Sequence, residues 1–145
     1  MAHAEGNITI DQPITAVFNF IADGTNNPLW RSSVTDIQRI PEKPQGLGAV
    51  FKQGLKGPGG RIDGDYEIVE YQPNKLIKFQ VIAGPARPTG TYQFEAVGDS
   101  TRLTFTLHFA PKGLAKLMDP MITLSMKSEV AMLSDLKTFL ESHGK

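Results

Sequence analysis

The sequence predicts an α+β fold in which a curved antiparallel sheet of about seven strands wraps a long C-terminal helix. Three observations carry that expectation. Between Phe51 and Phe109 the apolar residues recur with period two, the mark of strands that cover one face only. Short segments rich in Gly and Pro separate those strands, which ties neighbours into an antiparallel meander. From Leu114 to Leu140 the period changes, with Leu117, Met118, Met121, Ile122, Met132, Leu133 and Leu136 at three- and four-residue steps. That is the wide apolar stripe of an amphipathic helix.

Taken in order, Asn7 to Asp11 alternates Ile8 and Ile10 with polar residues and reads as a first strand. Ile14, Val17, Phe18 and Ile21 then mark one face of a helix from Ile14 to Ala22, with Asp11 placed to cap it and Pro13 in its first turn. Asn26-Asn27-Pro28-Leu29-Trp30 is turn-rich and predicts a short helical hook, so two short helices follow the first strand. Ser33 to Ile40 forms a weakly alternating strand, and Pro41 to Gly46 a loop.

Phe51, Gln53 and Leu55 share one face of the next strand, which ends at the hairpin Gly57 to Gly60. Arg61 to Tyr71 is read as a single strand. Ile77, Phe79 and Val81, then Tyr92, Phe94 and Ala96, give two more. Leu103, Phe105, Leu107 and Phe109 follow the turn Gly98-Asp99-Ser100 and alternate most cleanly of all. Asp119-Pro120 suits a helix start, so a lead-in helix ends near Met118 and the long helix runs from Pro120 to about Ser142. At the usual rise per residue that is about 33 Å, and a curved sheet is the partner that such a length requires.

Bulk properties exclude several classes. The 145 residues form a single domain, 1–145, with enough chain for a core. Fifteen basic residues balance fifteen acidic ones, and no basic block recruits nucleic acid. There is no cysteine, which removes disulfides, thiolate metal sites and a cysteine nucleophile. Met1 to Gly6 lack the pattern of a secretory leader, and no apolar run is long enough to span a bilayer. The expectation is a cytoplasmic protein without stable membrane insertion.

Few motifs carry chemistry. Gly54 to Arg61 lacks the Gly-Lys-Ser/Thr ending of a phosphate loop and precedes a strand, so it is a hairpin. His3, His108 and His143 share no ligand spacing, and no metal is expected. Asp63, Asp65 and Glu67 line one side of their strand with Arg61, opposite Ile62, Tyr66 and Ile68, and are read as a solvated outer face. Val69 and Tyr71 share the acids' parity, so this strand bulges near Ile68 or switches face. A carboxylate on the inner side would instead be an acid-base candidate.

The segments Ile8-Thr-Ile10 before Pro13 to Phe18, Asn27-Pro28-Leu29-Trp30, Gly64 to Pro73 and Gly113 to Leu117 together resemble the START-like (SRPBCC, polyketide cyclase/dehydrase-like) superfamily. The resemblance covers roughly Gly6 to Ser142. It implies a helix-grip fold with an elongated apolar cavity between sheet and last helix. It further implies binding of a lipid, sterol, hormone or polyketide, and in some members cyclisation, dehydration or hydrolysis; a subset are co-chaperones.

The expectation is therefore a binder of a hydrophobic small molecule, with no cofactor and with room for a homodimer. An enzyme using a tyrosine and a carboxylate is the alternative, and a co-chaperone-like interaction module a further one. No catalytic residue is identified. The residues expected around the cavity are Trp30, Gln53, Tyr66, Phe79, Tyr92, Phe94, Phe105, Met121 and Met132. A drug-sized ligand would call for roughly 300–1,000 Å³ there.

Overall fold

A computed structural model describes residues 2–57, 59–84, 87–109 and 119–143. The chain begins with β1 (Ala2–Ile10), α1 (Ile14–Ala22) and a 3₁₀ helix (Gly24–Leu29). The strands β2 (Val34–Arg39), β3 (Val50–Gly57), β4 (Gly60–Asp63) and β5 (Tyr66–Gln72) follow. Then come β6 (Leu76–Val81), β7 (Thr89–Val97) and β8 (Ser100–Phe109), and finally α2 (Asp119–Ala131) and α3 (Leu133–His143). Among the described residues these strands make one antiparallel sheet in the order β1-β8-β7-β6-β5-β3-β2, with β4 paired to β3.

Alternation places the core. Leu103, Phe105 and Leu107 of β8 are buried, as are Tyr92 and Phe94 of β7, Ile77 and Phe79 of β6, and Phe51 of β3. α1 closes one end of this concave face, laying Phe18 edge-on against Phe94 with ring centroids 5.0 Å apart. α2 lies against β1 and β8, and α3 against β1. Gly6 permits that approach, since a Cβ on it would run into the Val130 side chain. Val130, Leu133, Leu136 and Leu140 bury the helical stripe, so the sheet grips the last helix as expected.

Four details depart from the sequence reading. The first strand extends back to Ala2, paired residue for residue with β8 from Ala2↔Phe109 to Ile10↔Thr101. α1 is capped by Pro13 without a side-chain hydrogen bond. Asp11 does not cap it; the Asp11 N–H donates to Glu141 Oε2 at 2.8 Å. The long helix is divided at Met132, the break between α2 and α3. The expected lead-in helix before Asp119 falls outside the described residues.

The stretch from Arg61 to Tyr71 is two strands, not one. At Gly64-Asp65 the chain turns in toward β3: the Gly64 N–H donates to the Gln53 carbonyl at 2.8 Å, and the Gln53 N–H donates to Asp65 Oδ1 at 3.0 Å. A bulge between Ile68 and Glu70 then shifts the register against β6. Val69 is thereby turned out into solvent, which accounts for its mismatched parity. Asp63 is exposed, Asp65 and Glu67 half-buried, and His108 points outward opposite His3.

Candidate functional site

Beneath α2 the sheet leaves a cavity of about 170 Å³. Its walls are largely apolar: Leu55 of β3, Ile62 of β4, Phe79 and Val81 of β6, Leu107 of β8 and Met126 of α2. Each strand contributes at the residues whose parity points inward, so the lining follows from the alternation that builds the sheet. Lys56 and Asp63, both exposed, mark its mouth. The volume is smaller than the sequence reading asked for, because Phe79, Leu107 and Met126 themselves fill the concave space as buried core residues.

One end of the cavity is polar. Arg31 leaves the 3₁₀ hook and enters a turn closed by the Val34 N–H on the Arg31 carbonyl at 3.1 Å. Its guanidinium is buried and donates from Nε (3.0 Å) and Nη2 (2.6 Å) to Oε1 of Glu129 on α2. Burial alone would lower the pKa of Arg31. The Glu129 carboxylate, helped by the Tyr92 and Tyr66 phenols, outweighs that and raises it. Cζ also lies 5.9 Å from the centroid of the Trp30 ring, within cation–π reach. Ser33, in the same turn, lines the cavity as well. Its Oγ is buried and finds no hydrogen-bond partner among the described residues.

Behind Arg31 a void of about 10 Å³ reaches between Asn27, Tyr66, Phe79 and Tyr92, room for about one water. The Asn27 amide donates to the Tyr66 hydroxyl and to Gln53 Oε1, both at 3.0 Å. The Gln53 amide completes its bonding by donating to the Gly64 carbonyl at 3.2 Å. Burial pushes the Tyr66 phenol up to about 12, against the pull of Arg31 and of the Asn27 hydrogen bond. Tyr92 is raised further, again mainly by burial. Both are therefore O–H groups, not phenolates, near neutral pH.

The residues expected at the site divide accordingly. Gln53 and Phe79 line the cavity, and Tyr66, Phe79 and Tyr92 line the smaller void. Trp30 and Phe105 pack behind them, ring centroids 6.5 Å apart, and Tyr92 stacks on Phe105 at 4.4 Å. Phe94 is engaged with Phe18 at the other end of the core. Met132 packs half-buried at the edge of the core, and the side chain of Met121 lies outside the described residues. Glu129 escaped the sequence reading. It follows Met126 by three residues and precedes Leu133 by four, so it sits in the apolar stripe, and that spacing was the available signal.

A second, larger groove of about 390 Å³ lies against α1, lined among others by Asn19, Asp23, Arg39, Gln45 and Tyr71. It shares no described lining residue with the cavity beneath α2. Its described lining is mostly polar and includes several exposed groups, so the more apolar cavity beneath α2 is the better candidate for a hydrophobic ligand. Among the described residues no three of His, Cys, Asp and Glu converge as a metal site, and no helix is long and apolar enough to cross a membrane.

The sequence model of the family described as "Polyketide cyclase / dehydrase and lipid transport" matches residues 1–139. The chain belongs to this family. Solved structures agree on the fold of this polyketide cyclase/dehydrase family member. A Thermus thermophilus protein superposes with a TM-score of 0.80 at 16% identity, covering 99% of each chain. The Zhui aromatase/cyclase of a Streptomyces species gives 0.79 at 16% identity, covering 99% of this chain and 95% of that one. A START superfamily protein from Mycobacterium smegmatis gives 0.72 at 15% identity, with 98% and 96% covered. No curated protein matches by sequence. At these identities the likeness is one of fold.

Proposed function

We propose that this chain binds an apolar small molecule in the cavity between the sheet and α2. The observation that carries this reading is the cavity's composition. Leu55, Ile62, Phe79, Val81, Pro88, Leu107 and Met126 form its apolar walls, while Arg31, Ser33 and Glu129 gather at one end and Gln53, Lys56, Asp63 and Ser125 complete the polar part of the described lining. Such a site removes apolar ligand surface from water at roughly 25 cal/mol per Å² while fixing orientation through a few polar contacts. Membership of a family that includes lipid transport and polyketide cyclisation supports the same reading.

The test is a thermal-shift screen with compounds ranging from single aromatic rings to sterols and fatty acids, followed by the emission of Trp30. A ligand selective for the native state raises the melting temperature by mass action. Trp30 packs on Phe105, and its neighbour Arg31 lines the cavity, so its emission should respond to occupancy. If no compound stabilises the protein or changes the emission, this reading fails and a surface interaction module takes its place.

An enzymatic reading has one specific observation in its favour. Glu129 brings a carboxylate to the cavity, and both Arg31 hydrogen bonds fall on Oε1. Oε2 is outside that pair and is the oxygen that would accept a proton as a general base, with Tyr92, a neutral O–H group, lining the smaller void behind Arg31. Turnover of a cyclisable aromatic precursor that is lost in Glu129→Gln, with ligand binding retained, would support it.

A further inference from the structure

We propose that His3 of β1 and His108 of β8 together bind a divalent transition-metal cation of the zinc type on the outer face of the sheet. The site lies on the opposite side of the sheet from the cavity and does not depend on the binding reading above.

Placement comes first. The two histidines are far apart in sequence, so no ligand spacing connects them; the sheet does. His3 and His108 are register partners in the antiparallel β1–β8 pair. Residues directly opposite in such a pair project to one face with Cβ atoms about 4.5–5.5 Å apart. That face is the outer one. Ala4, next to His3, and Leu107, next to His108, are buried, whereas both histidines are exposed.

Geometry comes second. The ring centroids are 6.2 Å apart, with the planes at 69°. Zinc takes an imidazole nitrogen at about 2.0–2.1 Å, so two rings on one tetrahedral ion have centroids roughly 5 Å apart. The pair must therefore close by roughly 1 Å to share an ion. Small rotations of two exposed side chains supply that, and each ring offers either of two nitrogens.

The surroundings come third. Two residues along β1, on the same face, Glu5 accepts from Thr106 Oγ1 at 3.1 Å. The neighbouring register positions of β8 and β7 hold Thr106, Thr89 and Thr91, all neutral. Arg87, which precedes β7, donates to the Gly84 carbonyl at 3.3 Å. A carboxylate thus stands nearer the pair in the register than any lysine or arginine, which favours a cation there. Glu5 contributes charge and not a third bond, since among the described residues no three His, Cys, Asp or Glu converge. The ion keeps water in its remaining positions. Two imidazoles select zinc, copper or nickel over magnesium and calcium. Bound there, the ion ties the start of β1 to the end of β8.

The experiment is an NMR titration of the isotope-labelled full chain, free of any affinity tag, with zinc chloride. A ligating imidazole must be neutral, so the buffer is mildly alkaline. Zinc is expected to shift the ring signals of His3 and His108 together, with one affinity, and to slow amide exchange in the first half of β1. Magnesium and calcium at the same concentrations should do neither. His3→Ala and His108→Ala should each abolish the response, and His143→Ala should retain it. Both positions are exposed, so these variants should fold, and the wild-type shifts need no variant. Zinc that moved neither ring would overturn the proposal. So would binding that survived in His108→Ala, which would put the ion on the N-terminal segment alone. An equal response to magnesium would overturn it too, as a general effect of charge.

Discussion

Arg31 and Glu129 stand 98 residues apart in sequence and meet at 2.6 Å, tying the turn after the 3₁₀ hook to the helix that the sheet grips. Only 8% and 16% of their side chains are exposed, so neither charge can fall back on water. Glu129→Ala should therefore destabilise the protein by about 3–5 kcal/mol, because it strands a buried guanidinium. The double change Arg31→Met/Glu129→Leu should recover most of that loss. Denaturant unfolding of the wild type and the two variants is the check, and equal losses in the single and double variants would contradict the account.

The last helix and the break before it should respond unequally to truncation. Leu136 is fully buried and Met132 only partly so. Leu136→Ala should cost about 2–5 kcal/mol, the range for a buried aliphatic side chain, and Met132→Ala clearly less. Parallel unfolding curves would test the order. If Met132→Ala proved the costlier, the division of the helix at Met132 would be misplaced.

Tyr66 makes stability depend on alkaline pH. Its phenol is held up to about 12 by burial, against 10.0 for an ordinary tyrosine. The unfolded chain then loses this proton first, so the contribution of Tyr66 is complete below about pH 10 and is lost as pH rises through about 12. Tyr66→Phe should flatten the wild-type decline in that window. The phenolate absorbance lost in this variant should have its midpoint near pH 12; a midpoint near 10 would mean that the ring is not enclosed.

At the acidic end the exposed Asp36–Arg61 pair gives the opposite sign. Hydrogen bonds from Arg61 first, then Thr35, hold the Asp36 carboxyl at about 2, below its ordinary 3.8. Any contribution it makes is therefore complete above about pH 4 and fades as pH falls through about 2. An NMR titration of Asp36 should show that low midpoint, and Arg61→Ala should return it to the ordinary range. A wild-type midpoint already near 4 would show that the guanidinium fork is not held in solution.

Much of this was legible in the sequence, for reasons that differ by element. β8 was clear because Leu103, Phe105 and Leu107 alternate with Arg102, Thr104 and Thr106 across a sheet with one covered face. α1 was clear because its buried face, Val17, Phe18 and Ile21, falls at helical spacing. The N-terminal half of β1 was not, since Ala4 is buried by pairing with β8 and carries no bulky side chain to announce it. The break at Gly64-Asp65 was hidden as well. It depends on one carboxylate replacing a strand partner of Gln53, a tertiary contact that leaves no period in the sequence. At the site, strand parity marked Leu55, Phe79, Val81 and Leu107 as facing one way but only Phe79 of the apolar walls was named for the cavity, and the Arg31–Glu129 pair joins two segments too distant for any sequence period to connect.

The sheet order has a consequence for how the chain comes together. Among the described residues β1 is bordered by β8 alone, and β8 is the last of the strands. During synthesis β1 emerges well before β8 and is thus left waiting while the hairpins from β5 to β8 close on their neighbours as they are made. Until Thr101 arrives opposite it, Ile10, which ends fully buried, has no place in the sheet. Such distant pairing slows folding. A nascent chain halted short of β8 would present Ile8 and Ile10 on an unpaired, apolar edge, the feature that invites one chain to pair with another.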